Sequence, residues 1–339
     1  MSGWYTKSGN CSDVAVYTKI SLSRNIKGHP FPNRLNEEEL KELNELIKNT
    51  LLAYEEIEND FNVIEMDKLP YYAALSLAER GLVSYNFILN NSNKLLFLSK
   101  DETISVMICG EDHIKVTGIM GGMELSRLFT KIDAIDNIIC GSLPIAFDDT
   151  LGFLTESPML LGTAMNCELL LHMPAMDSTG EIRGIADSVS RIGLTIKGVT
   201  NSDGYNNGSM YTLSNQITLG ITERTAIENL ISISNQVIAR ERSARESIDA
   251  LTVEDKIFRA VAILKNARKI NKDELDELLS ELKLGISMGL VGNYNHSLPH
   301  ELYVGSLEGT LQLKYGELLE DDISFKRAEY IRNVLKESL

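Results

Sequence analysis

The sequence predicts an α+β fold, in which an antiparallel sheet flanked by helices is followed by an all-helical C-terminal domain. Between residues 94 and 219, short apolar runs are separated by turn residues, which is typical of strands. Helical and extended segments do not alternate regularly, which argues against a parallel βαβ sheet. From Thr222 onward, the apolar residues recur at helical spacing almost throughout.

The predicted elements follow from caps and periodicity. Asn36 followed by Glu39 predicts the start of a helix that continues through Leu51. Segments 94–98 and 104–109 predict a hairpin. The remaining patterns predict helices over 72–80, 125–139 and 182–192, and strands over 152–155, 168–172, 194–198 and 210–219.

The last third of the sequence has the pattern of a separate helical module. Residues 252–255 (TVED) and 271–274 (NKDE) predict capping boxes, and the mixed charges of 240–246 predict a solvated helix face. We therefore expect two domains, 1–247 and 248–339. The apolar stripes of the module suggest a dimer or partner surface, and a four-helix core is the alternative.

Composition excludes several classes of function. The 339 residues are 43% hydrophobic and 24% charged, as in an ordinary globular protein, and the net charge of -15 argues against a nucleic-acid ligand. No membrane-spanning run, signal-peptide pattern, P-loop or Rossmann motif is present, so we expect a cytoplasmic location. The scattered cysteines suggest neither a metal site nor a disulfide framework: Cys11, Cys109, Cys140 and Cys167.

Residues 109–115 (CGEDHIK) form the most unusual stretch of the sequence. They continue an apolar run, and as a strand they would place Glu111, His113 and Lys115 on one face. A carboxylate, an imidazole and an ammonium together suggest the wall of an active site. A solvated edge strand is the alternative.

Several motifs in a fixed order carry a family resemblance. Residues 20–35, 111–115, 152–163, 172–174 and 214–220 resemble the motifs of the phosphagen (guanidino) kinases. Residues 253–268 and 284–290 are similar to the bacterial protein-arginine kinases of the McsB type, which carry a helical C-terminal domain. The resemblance implies a guanidino-kinase catalytic domain in which MgATP phosphorylates protein arginines, so ATP and Mg²⁺ are the expected cofactors of an active enzyme.

Phosphoryl transfer to a guanidinium requires cations around the phosphates and carboxylates around the acceptor. Matched to the family's motifs, the principal carboxylate is kept as Glu111, whereas the second carboxylate position holds Ser202 and the cysteine position Ser157. Arg24 is the nearest guanidinium to the first motif. The five arginine positions around the phosphates are occupied by other residues: Lys19, Ser21, Lys115, Asn166 and Lys197.

These departures lead to two hypotheses. Because one such arginine can contribute about 10³–10⁵ in rate, we expect a pseudokinase that acts as a regulatory or binding component. The alternative is an active protein-arginine kinase with a lysine-based phosphate cage, since lysine also binds phosphate. By resemblance, the partners would be an McsA-type zinc-finger activator, a Clp AAA+ ATPase or a CtsR-type repressor, with a homodimer expected.

The family's phosphoarginine-binding motif near the C-terminus is also altered. It aligns with residues 323–328, of which only Arg327 keeps a guanidinium. A solvated helix residue is therefore the favoured interpretation of Arg327, and a phosphoarginine pocket the alternative.

Overall fold

The computed structural model describes residues 3–200, 206–292 and 294–337. Its strands are β1 (Ala15–Arg24), β2 (Phe61–Glu65), β3 (Leu95–Ser99), β4 (Ile104–Ile108), β5 (Ile114–Gly121), β6 (Phe147–Asp148), β7 (Gly152–Phe153), β8 (Met165–His172), β9 (Leu194–Thr200) and β10 (Asn206–Asn215). Short 3₁₀ turns lie at Trp4–Thr6, Pro32–Arg34, Met66–Lys68 and Pro158–Leu160.

The first eight helices lie among and after these strands. They are α1 (Glu37–Leu52), α2 (Glu55–Asp60), α3 (Tyr71–Glu79), α4 (Tyr85–Leu89), α5 (Leu125–Ser142), α6 (Pro174–Ser178), α7 (Ile182–Ser190) and α8 (Glu223–Arg245). The C-terminal helical region contains α9 (Ala250–Asn266), α10 (Lys272–Ser287), α11 (Leu298–Gly305), α12 (Glu308–Tyr315) and α13 (Glu320–Glu337).

Eight strands form one antiparallel sheet in the order β2-β3-β4-β5-β1-β8-β10-β9, and β6 pairs with β7. The predicted fold class, an antiparallel sheet flanked by helices and followed by an all-helical region, is confirmed. None of the helices in the described ranges is long and apolar enough to cross a membrane.

One face of the sheet packs on α1, α5 and α8 through the largest apolar core. Alternate residues of β1, such as Ile20 and Leu22, point into this core because successive side chains of a strand face opposite ways. Gly118 in β5 lets α5 approach closely, since a Cβ there would lie 2.7 Å from a methyl carbon of Leu128.

The opposite face packs on α3 and α4 through a separate apolar cluster that includes Leu96, Met107 and Ile119. The rest of this face carries polar side chains such as Lys19 and Ser21, and we call it the polar face.

The N-terminal segment joins that polar face to the C-terminal helices. Lys283 Nζ donates to the carbonyl of Ser12 at 2.7 Å, and Ser287 Oγ donates to the carbonyl of Asp13 at 2.9 Å. His172, at the end of β8, lies 2.9 Å from Ser280 Oγ of α10. Helix α10 therefore covers one end of the polar face, and α11 does so through His300, whose ring lies 6.0 Å from that of Tyr17.

The predicted N-caps at Asn36 and Asn271 agree with the structure, but of these two only Asn36 makes a complete capping box. Asn36 makes a complete capping box with Glu39, and Asn271 caps α10 by accepting from the amide of Glu274. The prediction at Thr252 is wrong, because α9 begins two residues earlier and the Thr252 hydroxyl donates to the carboxylate of Asp249 instead.

The predicted solvated face over 240–246 is present only in part. Two charged residues of the segment are buried, whereas four of its residues are exposed: Arg240, Arg242, Ser243 and Glu246. Glu241 is fully buried and accepts from the amides of Ala175 and Met176. Arg245 is buried beside it, with Nε donating to Glu241 at 2.8 Å. Glu241 and Arg245 thus attach α8 to α6. Both need these bonds, because a buried charge is unstable without a charged or hydrogen-bonding partner.

Candidate active site

The five positions predicted for the phosphate cage lie on the polar face of the sheet. On β1, Lys19 and Ser21 share this face, and Ser21 pairs with Asn166 of β8. Lys115 of β5 pairs with Ser23, two residues further along the same face of β1. Lys197 lies toward the far edge, where it pairs with Thr212 of β10. The fold brings the predicted positions together although they are distant in sequence.

Three of these side chains give the face its positive charge. Lys19 and Lys115 are half-buried, whereas Lys197 is exposed on the edge strand. Burial lowers the pKa of Lys19, the charge of Glu168 opposes this shift and the charge of Lys115 adds to it. Ser21 and Asn166 supply no charge between these lysines.

Glu168 is a residue of this face that sequence reasoning missed. It pairs directly with Lys19 across β1 and β8, so its side chain is a cross-strand neighbour of Lys19. A carboxylate there repels phosphate and weakens the cation field of Lys19. In the sequence, the one indication was that Glu168 lies two residues after Asn166. In a strand, this spacing places Glu168 and Asn166 on the same face.

Glu111 lines a cavity of about 150 Å³ at one end of this face. Asn86 Nδ2 donates to its carboxylate at 3.1 Å, and Lys115 Nζ lies 4.0 Å from it. Lys94 lines the same cavity and donates to the carbonyl of Phe87 at 3.1 Å. Partial burial lowers the pKa of Lys94, and the charges of Cys109 and Glu111 oppose the shift.

A second carboxylate, Glu156, lines the same cavity as Glu111. Asn33 Nδ2 donates to the Glu156 side chain at 3.0 Å. The backbone amide of Glu156 donates to Asp112 Oδ1 at 2.9 Å, and Asn25 Nδ2 donates to the same oxygen at 2.6 Å. Asp112 is buried and follows Glu111 in the sequence. Sequence reasoning did not select Glu156, because only the fold brings residues 111 and 156 to one cavity.

Residues 109–113 are a turn between β4 and β5, so the predicted single strand with three polar side chains on one face is wrong. Cys109 has a left-handed backbone with φ of 57°, which ends the extended run. His113 is buried, where its Nδ1 accepts from the amide of Ile26 at 2.9 Å and its Nε2 donates to the carbonyl of Pro30 at 2.8 Å. Burial lowers the pKa of His113, so its imidazole is neutral. Its two hydrogen bonds hold the loop that contains Ile26 and Pro30 in position.

Arg24 lies on the opposite face of β1 from the lysines. Its side chain is 1% exposed and forms an ion pair of 2.7 Å with Asp136 of α5, and its guanidinium carbon lies 3.5 Å from the centre of the Phe153 ring. Arg24 Nη1 also donates to the carbonyl of Thr163 at 3.2 Å. It therefore fixes the loop that carries Glu156 and does not reach the polar face.

The other predicted site residues have different positions. Ser157 is half-buried next to Glu156, and its carbonyl accepts from Thr155 Oγ1 at 2.9 Å. Ser202 lies outside the described residues. Arg327 is buried, which makes the solvated interpretation wrong, and it donates to the carbonyls of Ser306 and Ile270 at 3.0 Å each.

A second cavity, of about 290 Å³, lies at the other end of the polar face and is lined by Lys19. Tyr17 forms part of its sheet wall, and residues of α10 and α11 form the opposite wall. The polar face thus connects the cavity at Glu111, a row of lysines and a larger cavity beyond Lys19. Within residues 3–200, 206–292 and 294–337, no cluster of His, Cys, Asp and Glu could hold a metal ion.

Two family models match this chain. Residues 42–244 match the ATP:guanido phosphotransferase C-terminal catalytic domain, and residues 250–338 match the protein-arginine kinase McsB C-terminal domain. The protein-arginine kinase of Clostridium acetobutylicum is 34% identical over 99% of this chain and 100% of its own length. That of Halalkalibacterium halodurans is 32% identical over 99% of this chain and 96% of its own length.

Solved structures agree in fold. The substrate-free duplicated taurocyamine kinase of Schistosoma mansoni superposes with a TM-score of 0.62 at 21% identity, over 76% of this chain and 40% of that protein. Lombricine kinase superposes with a TM-score of 0.61 at 16% identity, over 72% of this chain and 71% of that protein. At these identities the likeness extends to the architecture alone.

Proposed function

This chain belongs to the ATP:guanido phosphotransferase family and, within it, to the protein-arginine kinases of the McsB type, and we propose that it transfers the γ-phosphoryl group of ATP to arginine side chains of proteins. The full-length relatives named protein-arginine kinase favour this alternative over the pseudokinase predicted from the sequence. The observation that carries the proposal is that Glu111 and Glu156 line the same cavity, at the end of a face that bears lysines.

The two carboxylates have the chemistry that an arginine substrate needs. A guanidinium is planar and cationic, and carboxylates hold it by charge-assisted hydrogen bonds. The nitrogen that attacks the γ-phosphorus loses a proton to Glu111 or Glu156 as the N–P bond forms and the bond to the leaving ADP oxygen breaks. Glu156 thereby takes over the role of the second carboxylate, whose family position is Ser202.

The lysines have the chemistry that the phosphates need. Lys19 and Lys115 stabilise the charge of the transferred and leaving groups, and Lys197 adds a third positive charge from the edge strand. Mg²⁺ would enter with the nucleotide, bound through its phosphate oxygens. Because lysine lacks the bidentate fork of arginine, we expect slower transfer than in an enzyme with an arginine cage.

A binding subunit without transfer activity is the second candidate. The uncharged positions Ser21 and Asn166 and the carboxylate of Glu168 favour it, since all three weaken phosphate binding. A transfer assay separates the candidates. Incubation with MgATP and a basic test protein should give acid-labile phosphoarginine, and Glu111→Gln should abolish it. Nucleotide binding with no phosphoarginine would favour the binding subunit.

Four expectations from the sequence stay predictions. These are the division into domains 1–247 and 248–339, the homodimer, the cytoplasmic location and the protein partners. Exposed apolar side chains in the C-terminal helical region, among them Leu251, Phe258 and Phe325, are compatible with a protein-binding surface. Sedimentation at several protein concentrations would test the dimer.

A further inference from the structure

The cavity beyond Lys19 is built by two parts of the chain that are distant in sequence. Tyr17 and Leu170 of the sheet form one wall, and Lys283 of α10 together with His300 and Tyr303 of α11 forms the opposite wall. The cavity of about 290 Å³ is large enough to enclose a ring system rather than a single water.

The position of this cavity suits the base of a bound nucleotide. Glu111 and Lys115 mark the end of the polar face where transfer would occur, and Lys115 pairs with Ser23 of β1. Tyr17 lies six residues further along the same strand, a separation of about 20 Å at 3.3 Å per residue. An extended ATP molecule has a comparable length. A triphosphate lying along the lysines would therefore place its base near Tyr17.

The cavity also has flat aromatic walls. The rings of His300 and Tyr303 are stacked at 5.8 Å between centroids with an angle of 19°. Trp4 lies against His300 at 5.0 Å, and Tyr17 lies 6.0 Å from it. Aromatic side chains are the usual stacking surfaces for nucleic-acid bases, at about 1–3 kcal/mol per base.

One polar atom in this wall lacks a partner. The buried Nε2 of His300 makes no hydrogen bond with the described part of the chain. Burial, reinforced by the charge of Lys283, lowers the pKa of His300 to about 3, so the imidazole is neutral. A neutral imidazole can donate or accept one hydrogen bond at Nε2, according to its tautomer. The edge of a base offers both kinds of partner.

We propose that the C-terminal helical region completes the nucleotide site, with His300 and Tyr303 of α11 contacting the base of ATP in the cavity they share with Tyr17. The proposal rests on the proposed function, since it takes ATP as the nucleotide. It adds that base recognition comes from the helices, whereas phosphate binding comes from the sheet.

The first test compares ATP with inorganic tripolyphosphate, which has the phosphates but no base. His300→Phe keeps the ring and removes the nitrogen. It should weaken ATP binding by about three- to tenfold, the effect of one hydrogen bond, and leave tripolyphosphate binding unchanged. His29→Phe, the same substitution at an exposed residue, should change neither. Calorimetric titration of each variant measures both affinities.

A second test needs no variant, because Trp4 is the only tryptophan in the sequence and lines the cavity. ATP should change the tryptophan emission of the wild-type protein, whereas tripolyphosphate should not. The same emission without ligand reports whether His300→Phe keeps the native packing around Trp4.

Failure of this proposal and failure of the proposed function give different results. If ATP binds but His300→Phe has no effect, or weakens ATP and tripolyphosphate equally, the base does not contact α11 and the kinase proposal stands. If ATP binds without any change in Trp4 emission, the base lies elsewhere. If the wild-type protein does not bind ATP, both proposals are wrong.

Discussion

The backbones of Glu111 and Glu156 are connected through one residue, Asp112. Asp112 is buried and accepts hydrogen bonds from Asn25 and from the amide of Glu156, and it is the sequence neighbour of Glu111. The hydrogen bond from the Glu156 amide fixes the backbone of Glu156 relative to that of Glu111, and Asn33 and Asn86 each donate to one of the two carboxylates. Fixed geometry of this kind is the main requirement of phosphoryl transfer.

Glu156→Gln should lower the rate of arginine phosphorylation by about 10²-fold, the lower end for loss of a general base. Glutamine retains the size of the side chain, so nucleotide affinity should not change. Initial rates with a basic test protein measure the effect, and Glu58→Gln, at an exposed residue on α2, is the matched control. An unchanged rate in Glu156→Gln would leave Glu111 as the only carboxylate involved.

Glu168→Gln should strengthen the binding of MgATP on the order of tenfold, because it removes a negative charge beside Lys19 on the polar face. Calorimetric titration measures the affinity, with Glu228→Gln, on the exposed side of α8, as the control. Weaker binding in Glu168→Gln would contradict this role and would mean that Glu168 positions Lys19 for the phosphates.

At the scale of elements, local patterns predicted most strands and the longer helices. They missed the short elements β2, β6, α2, α4 and α6, and they wrongly extended a strand through residues 109–113. The hairpin of β3 and β4 and the caps at Asn36 and Asn271 follow from short-range chemistry that a sequence displays directly.

The functions of Arg24 and His113 could not be predicted from such short-range chemistry. Arg24 bonds Asp136, 112 residues away, and His113 bonds Ile26, 87 residues away. Only the tertiary fold shows that both side chains are buried and hold neighbouring segments in place.

The contact between α3 and α12 depends on Gly309. A Cβ at this position would lie 2.6 Å from the amide nitrogen of Ser76 and 2.9 Å from the carbonyl oxygen of Tyr72. Gly309→Ala should therefore destabilise the protein by about 1–3 kcal/mol, as overpacking does. Urea unfolding measures this change.

Gly184 provides the control for that experiment, because it lies in α7 and an added Cβ would have open space around it. No atom of the described residues lies within 4 Å of that Cβ, apart from its own helix backbone and chain neighbours. Gly184→Ala should stabilise the protein by about 0.4–1 kcal/mol, since alanine restricts the unfolded chain. If both alanine variants had the same effect, the close approach of α3 and α12 would not contribute to stability.

At the scale of the whole molecule, the C-terminal helices have a core of their own and also contact the sheet. The apolar stripes of α9 and α10 predicted a helical module, and α9, α10, α11 and α13 do enclose a core of their own. No pattern in the sequence indicated that α10 and α11 also cover the polar face of the sheet. Those contacts join residues such as Ser12 and Lys283, whose types carry no signal for pairing.

Lys283 should make stability depend on pH. Burial lowers its pKa from 10.5 to about 7. Between these values the unfolded chain binds a proton that the folded chain lacks, so this residue makes the free energy of unfolding rise with pH by up to about 1.4 kcal/mol per unit. Below pH 7 both states are protonated, and this lysine contributes no slope.

Urea unfolding between pH 7 and pH 9.5 measures the dependence on Lys283. Lys283→Met should flatten the rise seen in the wild-type protein, and Lys41→Met, at an exposed position of α1, should not. Equal slopes in all three proteins would contradict a neutral, buried Lys283.

We propose that the lysine-bearing face of the sheet and the carboxylates of Glu111 and Glu156 carry out phosphoryl transfer to arginine. Phosphorus NMR of a basic test protein after incubation with MgATP tests it most directly. We predict an acid-labile N–P resonance with wild-type protein and none with Glu111→Gln. The absence of that resonance from the wild-type sample, under conditions where ATP binds, would contradict the claim.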